Sequence, residues 1–215
     1  MIKIKRFEFN VFQENTYVLY DETNECVIVD AGCYTAEEEN ILVQFISNEG
    51  LKPVKLLNTH CHIDHILGVN YCREKYGIPF YAHSGDDILV EKAVPQGSAF
   101  GFIVQPIKNP DNHINECDII HFGSSSLEAL FVPGHSLGSI VFYSAGQKFL
   151  LTGDVLFHGS IGRTDLPGGN YDMLINNITN KLLPLPEDTI VYPGHGPHTS
   201  IGFEKKNNPF LTGKF

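Results

Sequence analysis

Residues 60–65 read His60, Cys61, His62, Ile63, Asp64, His65, which puts three imidazoles and a carboxylate within one turn of chain. Each of these groups offers a nitrogen or oxygen lone pair to a metal ion. One such residue alone reads as a turn or helix-cap residue that hydrogen-bonds its own backbone. Four together, in the order His-x-His-x-Asp-His, point to a metal site instead. The chain then supplies three more donors in a common setting: His135 behind Pro133 and Gly134, Asp154 behind Gly153, and His195 behind Pro193 and Gly194. Glycine without a Cβ tolerates a strained turn and lets a ligand approach the backbone closely.

Seven donors exceed what one ion takes, so the arithmetic favours two ions with a shared ligand. The natural division sets His60, His62 and His135 on one ion and Asp64, His65 and His195 on the other, with Asp154 between them. Only a carboxylate has two oxygens able to span cations roughly 3.5–4 Å apart. A hydroxide bridging two such cations is a nucleophile at neutral pH, and each cation also acts as a Lewis acid on a substrate oxygen. Asp64 has a second expected duty, orienting that hydroxide by hydrogen bond. Asp64 and Asp154 are therefore the expected catalytic carboxylates, and no serine or cysteine nucleophile is required. Zinc is the first expectation, with iron and manganese also suited to these nitrogen and oxygen donors.

The elements that must hold these groups are legible as apolar runs. Val54 to Thr59, Leu127 to Val132, Phe149 to Leu151 and Ile190 to Tyr192 each read as a short buried strand that ends just before a donor. Ligand groups at strand ends are held still by the sheet behind them. Further strands are expected at Ile2 to Asn10, Tyr17 to Asp21, Cys26 to Asp30 and Ile78 to His83. A helix spans Thr35 to Gly50, opened by Thr35 with Glu38 three residues later. A second helix runs from Asp64 through Tyr76 to a stop at Gly77. The Pro- and Gly-punctuated segment Val94 to Asn115, with Phe100 and Phe102, reads as an exposed loop that faces either substrate or its own packed surroundings.

Composition sets outer limits. A chain of 215 residues that is 42% hydrophobic houses one domain with a sizeable core, 1–215. No run reaches the eighteen or so apolar residues of a membrane helix, and the alternating N-terminus reads as a strand rather than a signal peptide. Five cysteines without regular spacing suit a reducing compartment, so a cytoplasmic location is expected. A formal net charge of −10 argues against nucleic acid as the main partner. The expected partner is a small molecule.

The motifs "THCHIDH", "PGHSLGS", "TGD" and "PGHG" together resemble the metallo-β-lactamase-fold hydrolase superfamily over nearly the whole chain. The resemblance implies an α/β fold, a four-layer αββα sandwich with the metal site on one edge between two sheets. Within that superfamily, "GSIGRTDLPGGN", "LLPLPEDTIVYPGHGP" and "TSIGFEKKNNPFL" are similar to the short bacterial glyoxalase II branch (hydroxyacylglutathione hydrolase), which lacks an extra helical C-terminal domain. That implies cleavage of S-lactoylglutathione or a related hydroxyacyl thioester. It also implies that Arg163, in the loop after the shared aspartate, binds a substrate carboxylate; the competing expectation for Arg163 is an internal ion pair with Asp165. Phe157 and Tyr171 are candidate pocket walls, His158 and His198 extra histidines outside the ligand set, and Cys61 a bystander turned away from the metals. "NTHCHIDHILG" and "GRTD" also resemble the persulfide dioxygenase branch, in which one iron would sit on His60, His135 and Asp154. A silent scaffold or a nucleic-acid-processing relative fits less well, because the ligand set is complete and the chain acidic.

Overall fold

The computed structural model describes residues 1–213. In chain order the elements are β1 (Lys3–Phe9), β2 (Glu14–Tyr20), β3 (Glu25–Val29), α1 (Ala36–Asn48), β4 (Lys52–Leu57), α2 (Ile63–Ile66), α3 (Val69–Tyr76), β5 (Phe80–Ala82), α4 (Asp87–Glu91), α5 (Ala93–Ala99) and β6 (Asn112–His113). The second half continues with β7 (Ile119–Phe122), β8 (Ser125–Phe131), β9 (Ile140–Ser144), β10 (Phe149–Gly153), the hairpin β11 (Leu156–Phe157) and β12 (Ser160–Ile161), α6 (Tyr171–Asn177), β13 (Ile190–Pro193), β14 (Thr199–Ser200), α7 (Ile201–Asn207) and α8 (Pro209–Thr212). Strands β1 to β6 form one sheet in sequence order, antiparallel up to β3 and parallel from there. The other six-stranded sheet runs β14-β13-β10-β9-β8-β7, with β10 and β13 parallel.

The period-2 alternation of the strands sorts their side chains into three separate cores, which makes the molecule four layers. From the first sheet, Val18, Cys26, Ile28 and Leu56 pack on one face against Leu42, Ile46, Ile66 and Val69 of the helices. Their neighbours Tyr17, Leu19, Val27, Val29 and Leu57 face the other way and meet Leu127, Ile140, Phe142 and Leu151 of the second sheet. On that sheet Val141, Leu150 and Val191 turn outward onto Leu174, Ile178, Leu182 and Ile201. Each fully buried aliphatic side chain contributes about 1.5–3 kcal/mol. A one-residue slip of a strand would exchange its two faces wholesale, so the register, and with it the strand ends, is firmly set. The expected αββα sandwich is the observed fold.

Helix α1 opens as the sequence predicts: the Thr35 side chain accepts from the Glu38 backbone and Glu38 returns the bond to the cap. Two expectations need correction. The helix foreseen from Asp64 to Tyr76 is two helices, parted at Leu67 and Gly68. Here the chain runs against the loop after β3, where the Gly68 N–H donates to the Ala31 carbonyl at 2.7 Å and a Cβ would press on Cys33. The segment Val94 to Asn115 is in part α5 and β6, with Pro95 tolerated in the first helical turn. Within it Phe100 is exposed, but Phe102 is only 6% exposed and packs edge-on to Tyr34. Among the described residues no helix is long and apolar enough to cross a membrane.

Candidate metal centre

Four strand ends meet at one edge of the sandwich. β4 leads through Asn58 and Thr59 into His60 and His62, and α2 turns Asp64 and His65 back toward them. β8 leads to His135, β10 to Asp154, and β13 to His195. At Gly153 the backbone adopts φ +48, a left-handed conformation that disfavours other residues, and a Cβ there would collide with the Thr59 hydroxyl. A Cβ on Gly194 would likewise strike the Asp154 carboxylate. These glycines bring β10 and β13 close enough for their donors to converge.

All seven expected donors are brought together. His62 Nδ1 lies 2.8 Å from His135 Nε2, and His60 Nε2 lies 3.3 Å from the same atom. On the other side His65 Nε2 is 3.3 Å from His195 Nε2, and Asp64 Oδ2 lies 3.1 Å from His195 Nε2. Asp154 stands between these two groups, with Oδ1 3.4 Å from His65 Nε2 and Oδ2 3.7 Å from His135 Nε2. His60, His62 and His135 thus form one donor triad, and Asp64, His65 and His195 form another. Asp30, His60 and His65 also lie close enough to form a group, but both Asp30 oxygens already accept from Thr59, at 2.7 and 2.6 Å.

The chemistry of the donor set fits cations. His135 Nδ1 faces the Arg163 carbonyl at 2.8 Å and His195 Nδ1 the Phe12 carbonyl at 3.0 Å. A ring nitrogen facing a carbonyl must carry the proton, so Nε2 of each points inward as a bare lone pair. Asp154 Oδ1 is buried with no hydrogen-bond partner. Inward lone pairs and an unpartnered carboxylate oxygen repel one another unless positive charge lies between them. His60 and His65 are fully enclosed, whereas the side chains of His195, Asp154 and Asp64 are 27%, 15% and 14% exposed. The open side of the centre is therefore theirs, and a substrate would approach there.

The electrostatics follow from burial and proximity. Burial, reinforced by neighbouring imidazoles, holds His60 well below the ordinary histidine value and takes His62 down to about 4. Burial opposes the charge on His65 too, but Asp64 and Asp154 outweigh it and push the ring well above that value. For Asp64 and Asp154, burial is outweighed by the facing histidines, His65 above all, so both carboxylates are held below their usual range. Both carboxylates are thus ionised and ready to act as ligands.

The side chains that support the donors were not foreseen from the sequence. Asp30, in left-handed backbone at φ +53, fixes Thr59 and lies 3.2 Å from His65 Nδ1. Asn58 donates to the carbonyls of His60 and His65, tying the two ends of the motif. Buried Asp86 accepts from the Cys61 and Gly138 backbones and from the Ser136 hydroxyl, joining the loops of His60 and His135. Glu14 is fully buried 3.8 Å from His65 Nδ1. Asp30 ends an apolar strand just as Asp154 does, a signal that was available; nothing local in "HSGDD" marks Asp86.

Arg163 lies in the expected loop, where its guanidinium forms a bidentate pair with Asp165 at 2.7 and 2.6 Å, both side chains mostly exposed. Phe157 comes within 6.3 Å of the His195 ring, ring centre to ring centre, and Tyr171 is 44% exposed. His158 stacks on Phe203 and His198 lies against Tyr192, neither with the donors. Cys61 is buried within the helix-side core, as its alternation implies.

A family profile described as metallo-beta-lactamase superfamily matches residues 9–195. A probable metallo-hydrolase of Bacillus subtilis, YqgX, is 40% identical over 99% of both chains. A hydroxyacylglutathione hydrolase of Haemophilus influenzae, GloC, is 37% identical over 99% of this chain and all of its own. Among solved structures, the BLEG-1 B3 metallo-beta-lactamase superposes with a TM-score of 0.90 at 38% identity, covering 98% of this chain and 100% of that one. TTHA1623, solved in a di-iron-bound form, gives 0.86 at 36% identity, covering 96% and 100%.

Proposed function

The chain belongs to the metallo-beta-lactamase superfamily and is a metallo-hydrolase of that fold; from that premise we propose that it is a binuclear thioester hydrolase of the glyoxalase II type, acting on S-lactoylglutathione or a related hydroxyacyl thioester. The observation that supports the two-ion reading is Asp154, which stands between the triads: its Oδ1 faces His65, and its Oδ2 lies between His135 of one triad, at 3.7 Å, and His195 of the other, at 3.6 Å. The full-length similarity to a hydroxyacylglutathione hydrolase supports the substrate class. Zinc is the metal we propose, with iron an alternative in view of the di-iron relative.

When bound, such ions lower the pKa of water and polarise a carbonyl oxygen. The chain's own groups do the rest. His60, His62 and His135 would hold one ion and Asp64, His65 and His195 the other, with Asp154 available to both. Asp64, on the open side, accepts a hydrogen bond from the attacking water and orients it. The donor set consists of acceptors rather than acids, which suits a leaving group that departs as an anion. A thiolate does so near neutral pH, because a thiol has a pKa of about 8.5. The solvent-exposed Arg163–Asp165 pair is weak enough for a substrate carboxylate to take the guanidinium bidentately.

The reading is tested by assaying the purified protein in parallel for S-lactoylglutathione hydrolysis and for oxygen consumption with glutathione persulfide. Hydrolysis without oxygen uptake is expected. Oxygen uptake with one iron per chain would replace this reading by the mononuclear dioxygenase built on His60, His135 and Asp154.

A further inference from the structure

Glu14 is not one of the seven donors, yet it is a fully buried carboxylic acid beside the metal centre. Its Oε2 accepts from the Thr16 hydroxyl at 2.8 Å, and that hydroxyl in turn accepts from the Gly32 N–H at 2.9 Å. Its Oε1 is buried with no hydrogen-bond partner and lies 3.8 Å from His65 Nδ1, the nitrogen that Asp30 Oδ2 approaches to 3.2 Å. The neighbouring loop yields space to this side chain: a Cβ on Gly32 would run into the Glu14 carboxyl. Burying a bare carboxylate oxygen is costly, so the position demands an account that packing does not provide.

Two contacts supply one. Glu14 flanks the His65 ring on the side away from the donors, together with Asp30, whose oxygens are already engaged by Thr59. Its backbone also bridges to His195, and the adjacent Asn15 N–H donates to the Gly194 carbonyl at 2.7 Å. One residue thus touches both histidines of the Asp64–His65–His195 triad and neither His62 nor His135. A ligating imidazole needs its outer N–H directed at an acceptor so that the inner nitrogen faces the ion. Asp30 Oδ2 is the nearer acceptor for that N–H at 3.2 Å, and the free Oε1 of Glu14 at 3.8 Å is a second carboxylate oxygen behind the same ring, with no other partner to satisfy it.

We propose that Glu14 is a positioning residue for the second metal subsite, orienting His65 from behind through its side chain and His195 through its backbone, so that its carboxyl group selectively tightens metal at Asp64, His65 and His195. The proposal rests on the two-ion reading. It distinguishes the two triads, which the seven donors alone do not.

The test is zinc affinity by chelator competition in single-subsite backgrounds. His62→Ala leaves the second triad intact, and His195→Ala leaves the first. Adding Glu14→Gln to His62→Ala is expected to weaken zinc binding about 10- to 100-fold, the usual consequence of losing the partner of a ligating histidine. Adding it to His195→Ala is expected to change affinity less than about 3-fold. Equal weakening in both backgrounds would make Glu14 merely structural, and no weakening in either would dismiss it; both overturn the proposal. If the Gln variant does not fold without metal, Glu14→Asp, which keeps the carboxyl group but withdraws it, must show the same bias to a smaller degree. A wild-type protein that binds only one zinc would refute the two-ion reading and this proposal together. Two zinc ions in the wild type with an unbiased Glu14 variant would refute this one alone.

Discussion

A histidine in this centre faces inward because its outer nitrogen is already committed, His135 to the Arg163 carbonyl and His195 to the Phe12 carbonyl. Arg163 therefore serves the centre through its backbone whatever its side chain does. If the guanidinium also binds substrate, Arg163→Ala will raise KM for a thioester that carries a carboxylate at least about 10-fold more than for a neutral one, with kcat little changed. Steady-state kinetics on the two substrates decide this, and equal effects would return the side chain to its Asp165 pair. Gly153 is constrained on two counts, by its left-handed φ and by the Thr59 hydroxyl against it. Gly153→Ala is expected to cost about 1–3 kcal/mol from the backbone alone. It will also displace Thr59 from Asp30 and so lower bound metal, as urea denaturation and elemental analysis would show. A variant with wild-type stability and metal content would mean that the turn relaxes freely.

Elements act here mainly through where they stop. β4, β8, β10 and β13 each deliver a donor within a few residues of their ends, and their register is set by the cores on both faces. One further junction joins the two sheets away from the candidate metal centre. At the end of β2, Asp21 accepts from the Thr23 and Ser124 N–H groups and from the Thr23, Ser124 and Ser125 hydroxyls, linking β2 to the β7–β8 turn. Burial alone would raise its carboxyl, but the hydrogen bonds outweigh it and hold the group below the usual carboxylate range. A depressed folded-state value contributes stability that is present above the unfolded value of about 3.9 and disappears as pH falls through the folded one. Asp21→Asn should therefore be less stable than wild type by about 1.5–3 kcal/mol at pH 7, and the gap should close in strong acid. Denaturant titrations across pH will show it, and a gap independent of pH would assign the loss to shape rather than charge.

At the scale of the whole molecule, the legible parts of the sequence were those governed by short-range pattern. The short apolar strand runs "CVIVD" and "VKLLNT", the capping box at Thr35 and the recurring glycine before a donor each have a local physical cause, and each is found in the fold. The break at Gly68 was hidden because it answers to Ala31 and Cys33, far off in sequence. Phe102 read as exposed because Tyr34, which buries it, belongs to another loop. The converging donors could be read and their supports could not, for the same reason. A donor behind a glycine at a strand end is a local signature, whereas Glu14, Asp30 and Asp86 acquire their roles only when β2, β3 and the loop before α4 are brought against it.

The central claim is that one carboxylate joins two ions, and the most direct measurement is metal per chain in Asp154→Ala beside wild type, by elemental analysis after dialysis at controlled free zinc. The account predicts close to two ions in the wild type, loss from both triads in the variant, and no thioester hydrolysis. A variant that keeps one full equivalent and hydrolyses at the wild-type rate would show that Asp154 bridges nothing the reaction needs.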